Sequence, residues 1–66
     1  MTQKEHLLIY IDALYRSARY LANNDNNADD LVQETYLKAF KFLQDDKEIR
    51  NVKAWLFRIL MNTFIN

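Results

Sequence analysis

The sequence predicts an all-α domain, a compact three-helix bundle. Three observations predict it: 66 residues with no glycine and no proline, three apolar stripes at helical spacing, and Asn/Asp-rich runs between them. Without glycine and proline, tight hairpin turns lose their favoured residues, whereas helices joined by Asn/Asp linkers remain easy to build. A chain this short makes one domain and buries only about 60% of its unfolded surface, so its core has to be dense. With half the residues hydrophobic and 14% aromatic, it is too apolar for a disordered tail.

The first helix is expected over residues 3–22. Thr2-Gln3-Lys4-Glu5 fits a capping box, in which the Thr2 hydroxyl and the Glu5 carboxylate satisfy free N–H groups of the first turn. Leu7, Ile11, Leu14, Ala18 and Leu21 then recur at spacings of four and three, a single buried stripe. Asn23 to Asn27, NNDNN, ends it, since these side chains compete for backbone hydrogen bonds and tolerate left-handed conformations.

The second helix is expected over residues 28–44, starting near Asn27 or Ala28 with Asp29 and Asp30 in its first turn, where carboxylates suit the helix dipole. The third is expected over residues 52–66 with Asn51 as its N-cap, after the linker DDKEIRN. Val52, Leu56, Phe57, Ile59, Leu60, Met61 and Phe64 cover most of its circumference, which predicts the central helix of the bundle. The expected core is Leu14, Leu21, Val32, Tyr36, Phe40, Leu56, Leu60 and Phe64. The chain stops without a C-cap signal and so reads as a piece of a longer protein.

Two surfaces do not fit a plain bundle. On the second helix, Asp30, Gln33, Glu34, Leu37 and Lys41 form one ridge at helical spacing, an apolar knob in a mostly acidic rim. Helices dock on other proteins with such a pattern, apolar contact supplying energy and rim charges fixing register. On the third, Trp55 aligns with Arg58 and Asn62, and Arg50 and Lys53 sit at the helix N-terminus. That strip suits nucleic acid: an indole stacks on unpaired bases, an amide reads base edges and cations hold phosphate. On the residues alone each surface keeps an ordinary alternative: a singly exposed leucine, and a core tryptophan beside a solvated edge.

Charge divides the chain in the same way. Residues 1–37 carry three basic and six acidic side chains, a net of −3, and residues 38–66 carry six and three, a net of +3. Such polarity suits different partners at different faces. Catalysis has little support. His6 is the lone histidine, no cysteine is present, and no phosphate-cradling glycine loop or nucleophile–base pair is recognisable. The reading is therefore not an enzyme, with no cofactor and no metal site, Asp29, Asp30 and Glu34 being explained by helix-start electrostatics. Without a signal peptide or an apolar run of about 20 residues, the expectation is a cytoplasmic protein with no membrane insertion.

The run Ala28-Asp29-Asp30-Leu31-Val32-Gln33-Glu34-Thr35-Tyr36-Leu37-Lys38-Ala39-Phe40, then Lys53-Ala54-Trp55-Leu56-Phe57-Arg58-Ile59 and Asn62-Thr63, resembles region 2 of bacterial RNA polymerase sigma factors. The likeness is greatest to the extracytoplasmic-function group and covers nearly the whole chain. It implies that Asp30, Gln33, Glu34, Leu37 and Lys41 meet the β′ clamp helices of core RNA polymerase. It implies also that Lys47, Arg50, Asn51, Lys53, Trp55, Arg58 and Asn62 meet the non-template strand of the promoter −10 element, to recognise and melt it. The family further implies regulation by an anti-sigma factor. The second DNA-binding domain, region 4, is absent from the 66 residues. Two departures stand out: Leu56 replaces an aromatic of primary sigma factors, and the linker DDKEIRN has none. The rival reading is a protein-only helical interaction or dimerisation module.

Overall fold

A computed structural model describes residues 7–43 and 49–65. Among them a short 3-10 turn, Leu8–Tyr10, leads into α1 (Ile11–Ala22), followed by α2 (Asp25–Leu43) and α3 (Val52–Ile65), with no strand. The all-α three-helix expectation holds. The Thr2–Glu5 capping box, Gln44, Lys47 and Asn66 lie outside the described residues.

The elements begin and end where polar side chains take over backbone hydrogen bonds. Asn23 adopts φ 65°, the left-handed conformation that asparagine tolerates at a helix C-terminus, and its N–H donates to the Arg19 carbonyl at 3.1 Å. Asn24 then caps α2: its Oδ1 accepts the Asn27 N–H at 2.7 Å, and its carbonyl accepts the Ala28 N–H at 3.1 Å. The second helix thus starts at Asp25, three residues before the expected Ala28. Asparagine three positions ahead of a free N–H is a cap, so most of NNDNN joins the helix and only two residues turn the chain. Asn51 caps α3 as expected, its Oδ1 accepting the Ala54 N–H at 3.1 Å.

The core is built around α2. Ala28, Leu31, Val32, Thr35, Tyr36, Ala39 and Leu43 are buried on it, against Leu14 and Ala18 of α1 and Leu56 and Leu60 of α3. Its two buried polar groups are satisfied. Thr35 Oγ1 donates to the Leu31 carbonyl at 2.8 Å, and the Tyr36 hydroxyl donates to the Leu7 carbonyl at 2.7 Å.

Two expectations about the core are corrected. Leu14, Val32, Tyr36, Leu56 and Leu60 are buried, and Leu21 and Phe40 pack half-buried against them, but Phe64 is 44% exposed. Nor is α3 the central helix: it buries only Leu56 and Leu60, and Met61, Phe64 and Ile65 face outward. Val52, Trp55, Phe57 and Ile59 pack half-buried at the edge of the core, because a helix apolar all round can give a bundle of this size one face only. The middle position falls to α2, which is flanked on both sides.

Candidate functional site

The ridge on α2 stands as the helical spacing requires. Burial of the Val32, Tyr36, Ala39 and Leu43 stripe turns the opposite side outward, so Asp30, Gln33, Glu34, Leu37 and Lys41 are all exposed. Leu37 is 62% exposed. Sequence reasoning missed what lies beside it. A groove of about 340 Å³ runs between α2 and the first turns of α1, lined by Gln33 and Leu37 of α2 and by Leu8, Ile11 and Tyr15. The apolar run Leu7-Leu8-Ile9 was the available signal, since three successive residues cannot all join one buried stripe.

Acidic groups gather at the N-terminal end of this surface. Asp29 accepts a hydrogen bond from the Tyr15 hydroxyl, which raises the Tyr15 pKa, and Arg19 lies 6.0 Å from the Tyr15 ring centroid. Arg19 also approaches Asp25 at 3.6 Å, an exposed pair that contributes little to stability.

The strip on α3 has a different character. Arg50, Asn51, Lys53, Arg58 and Asn62 are exposed, and Trp55 is half-buried. Trp55 packs on Phe42 of α2, ring centroids 5.3 Å apart and planes 51° from parallel, a tilted aromatic contact. The indole is therefore both a packing residue and an edge of the surface. Asn51 spends its Oδ1 on the cap, which leaves its amide N–H groups for any outside contact. The helix supplies Lys53 and Arg58 and no carboxylate, so the strip is cationic while the N-terminal part of the α2 ridge is acidic.

Two residues outside the sequence-predicted set complete this second surface. Lys38 Nζ donates to Thr63 Oγ1 at 3.0 Å, joining α2 to α3, and Phe42 stands one turn beyond Lys38 on the same flank of α2. Together with Trp55, Ile59, Asn62 and Thr63 they line an open surface pocket of about 250 Å³. The four-residue spacing of Lys38 and Phe42 was legible, but nothing in one helix announces what the next one brings against it.

Among the described residues no group of three or more His, Cys, Asp or Glu is arranged to hold a metal ion. No described helix is long and apolar enough to cross a membrane.

Comparison with known proteins adds identity to this geometry. The family profile "Sigma-70 region 2" matches residues 8–66. The ECF RNA polymerase sigma factor EcfG of Rhodopseudomonas palustris is 39% identical over 61 residues, covering 92% of this chain and 34% of that protein. SigE of Mycolicibacterium smegmatis, also described as an ECF RNA polymerase sigma factor, is 35% identical over 57 residues, 86% of this chain and 22% of its own. The ECF RNA polymerase sigma factor SigM of Bacillus subtilis is 32% identical over 66 residues, the whole of this chain and 40% of its own. The chain thus spans well under half the length of these relatives.

Proposed function

We propose that this chain, which belongs to the sigma-70 region 2 family in its extracytoplasmic-function group, docks on core RNA polymerase through α2 and captures the −10 element's non-template strand along α3. The observation that carries the reading is the separation of two unlike surfaces on one small bundle: an outward leucine in a polar ridge, and a cationic strip with an aromatic edge. The likeness to sigma factors over both motifs supports a separate partner for each surface.

On the polymerase side, Leu37 supplies apolar contact, and Asp30, Gln33, Glu34 and Lys41 fix register against the β′ clamp helices. On the DNA side, Arg50, Lys53 and Arg58 neutralise phosphate, Asn62 hydrogen-bonds a base edge and Trp55 offers an aromatic edge to an unpaired base. Lys47, in the linker before Arg50, belongs with the phosphate contacts by the same likeness. Unstacking a base step costs a few kcal/mol, which the contacts made to the separated strand offset. This work is done in the cytoplasm, beside core polymerase and the chromosome, and it is recognition and not catalysis.

The test is a pull-down of the chain with core polymerase and with an isolated β′ clamp fragment, followed by titration of the complex with single-stranded −10 oligonucleotides at two salt concentrations. Capture by the clamp fragment and steeply salt-dependent strand binding are expected, because phosphate contacts release counterions. Capture with no strand binding would leave the protein-only interaction module as the better account.

A further inference from the structure

We propose that copies of this chain associate head to tail, the outward apolar face of α3 in one copy seating in the groove between α1 and α2 of another. The association goes beyond the docking on polymerase and DNA and does not depend on either.

The two surfaces match in chemistry and in length. Phe57, Met61, Phe64 and Ile65 fall on one side of α3 by their spacing. Phe57 is half-buried, while Met61, Phe64 and Ile65 are exposed, Ile65 by 72%. The groove is apolar in turn, lined by Leu8, Ile11 and Tyr15 and, from α2, by Val32, Leu37 and Phe40. Phe57 to Ile65 and Val32 to Phe40 each span eight residue steps, about 12 Å of helix. At about 340 Å³ the groove has room for side chains and not for a helix backbone, so the stripe enters and the α3 axis stays outside. Laying an amphipathic helix by its apolar stripe into such a groove is a recurrent mode of recognition.

Charge sets the direction. The Tyr36 hydroxyl on the Leu7 carbonyl places the start of α1 beside the middle of α2, and the Tyr15 hydroxyl on Asp29 places the next turns beside its beginning. The Tyr15 end of the groove therefore carries Asp29, Asp30 and Glu34 of α2, and the Leu8 end is nearer Lys41. Asp12, Arg16 and Arg19 stand on the α1 side of the Tyr15 end, where Arg19 approaches Asp25 at 3.6 Å. On α3 the cations Lys53 and Arg58 lie toward the N-terminus on either side of the stripe, and the helix has no carboxylate. Attraction is satisfied with the seated α3 parallel to α2: Lys53 and Arg58 over Asp30 and Glu34, and the negative C-terminal end of the helix toward Lys41.

Seating a second copy covers residues that the proposed function uses. Gln33 and Leu37 line the groove and belong to the ridge assigned to polymerase, and the seated helix turns Lys53 and Arg58 away from DNA. Self-association and polymerase docking thus exclude each other. A contact made by one helical stripe belongs to the small, transient class of interfaces, so it forms at high concentration and yields to a stronger partner.

The experiment is sedimentation of the chain over a range of concentrations at low and high salt. The average mass should rise above that of one chain with concentration and fall back as salt screens the charges. Leu8→Lys spoils the groove and Ile65→Lys the stripe; both residues are exposed, so both variants should melt like the unsubstituted protein. Each variant alone should stay a single chain. An equal mixture should give a two-chain species and nothing larger, because one intact groove meets one intact stripe. The chain has no cysteine, so single-cysteine variants report the direction. Leu8→Cys should cross-link to Ile65→Cys and not to Lys53→Cys, about 18 Å from Ile65 along α3. Adding the β′ clamp fragment should replace the association with a complex of one chain and one fragment. A mass that never exceeds one chain, or a mixture that stays dissociated, would overturn the proposal. Association untouched by either variant would put the contact elsewhere and overturn it equally, and the reverse cross-linking pattern would overturn the parallel seating. A clamp fragment bound on the intact assembly would overturn the mutual exclusion. Failure of the fragment to bind at all would remove the polymerase reading and leave the self-association standing.

Discussion

The Tyr36 hydroxyl donates a hydrogen bond of 2.7 Å to the Leu7 carbonyl, across 29 residues of chain. It ties the segment ahead of α1 to the middle of α2, one residue from Leu37. Burial pushes the Tyr36 pKa up from 10.0 to about 12, since the phenolate would lose both water and its role as donor. The folded protein therefore holds this proton more tightly than the unfolded chain. Its contribution is fully present below pH 10 and is lost as pH rises from about 10 through about 12, to the extent of roughly 2–3 kcal/mol. Urea midpoints measured between pH 9 and 12 should fall steeply for the unsubstituted protein. Tyr36→Phe should start lower by about 1–3 kcal/mol, the Leu7 carbonyl being left unpaired, and should decline less over that range. Parallel curves for the two proteins would count against the assignment.

A second prediction tests the correction to the core. Leu60 is fully buried and Phe64, one turn further along α3, is 44% exposed. Leu60→Ala should cost about 2–5 kcal/mol, enough to unfold a domain this small. Phe64→Ser should cost less than about 1 kcal/mol, as for other surface changes. Thermal melts followed by circular dichroism separate the two, and comparable losses would return α3 to the centre of the bundle.

The third prediction concerns the ridge. Leu37→Asp or Glu34→Lys should weaken binding to the β′ clamp fragment by roughly 2 kcal/mol or more if these positions are interface hot spots. Neither should shift the melt, because both side chains are exposed. A variant that unfolds while clamp binding per folded molecule is unchanged would remove its residue from the interface.

What could be read in the sequence follows physical range. Local rules placed the Asn51 cap and the apolar stripe of α2, because a cap and a stripe need only neighbours within one or two turns. The cap at Asn24 was equally local, but five consecutive Asn/Asp residues offer several competing caps, and geometry alone decides among them. Periodicity could identify Leu37 as outward, since its own helix fixes its direction. It could not rank the helices by centrality, because α3 is apolar on every side and Met61, Phe64 and Ile65 nevertheless stay exposed. The Lys38–Thr63 and Phe42–Trp55 contacts were invisible for the same reason: each joins two helices, and the crossing of α2 and α3 is a property of packing that no single stripe encodes.

The last prediction separates holding the strand from reading it. Arg50 and Lys53 are exposed at the start of α3, and Asn62 is exposed nearly three turns later, beside Trp55. Phosphates are identical along a strand, so cations that bind them carry no sequence information. Arg50→Ala and Lys53→Ala should weaken binding to cognate and scrambled −10 strands alike and flatten the salt dependence, each removing about one released counterion. Asn62→Ala should leave the salt slope unchanged and reduce the preference for the cognate strand by about 1–3 kcal/mol, the value of a base-edge contact. Both are measured by fluorescence anisotropy on the chain bound to core polymerase, with each strand at two salt concentrations. Equal loss on both strands would make Asn62 a backbone contact. No loss on either would make the α3 strip a structural edge and move base reading to the linker DDKEIRN.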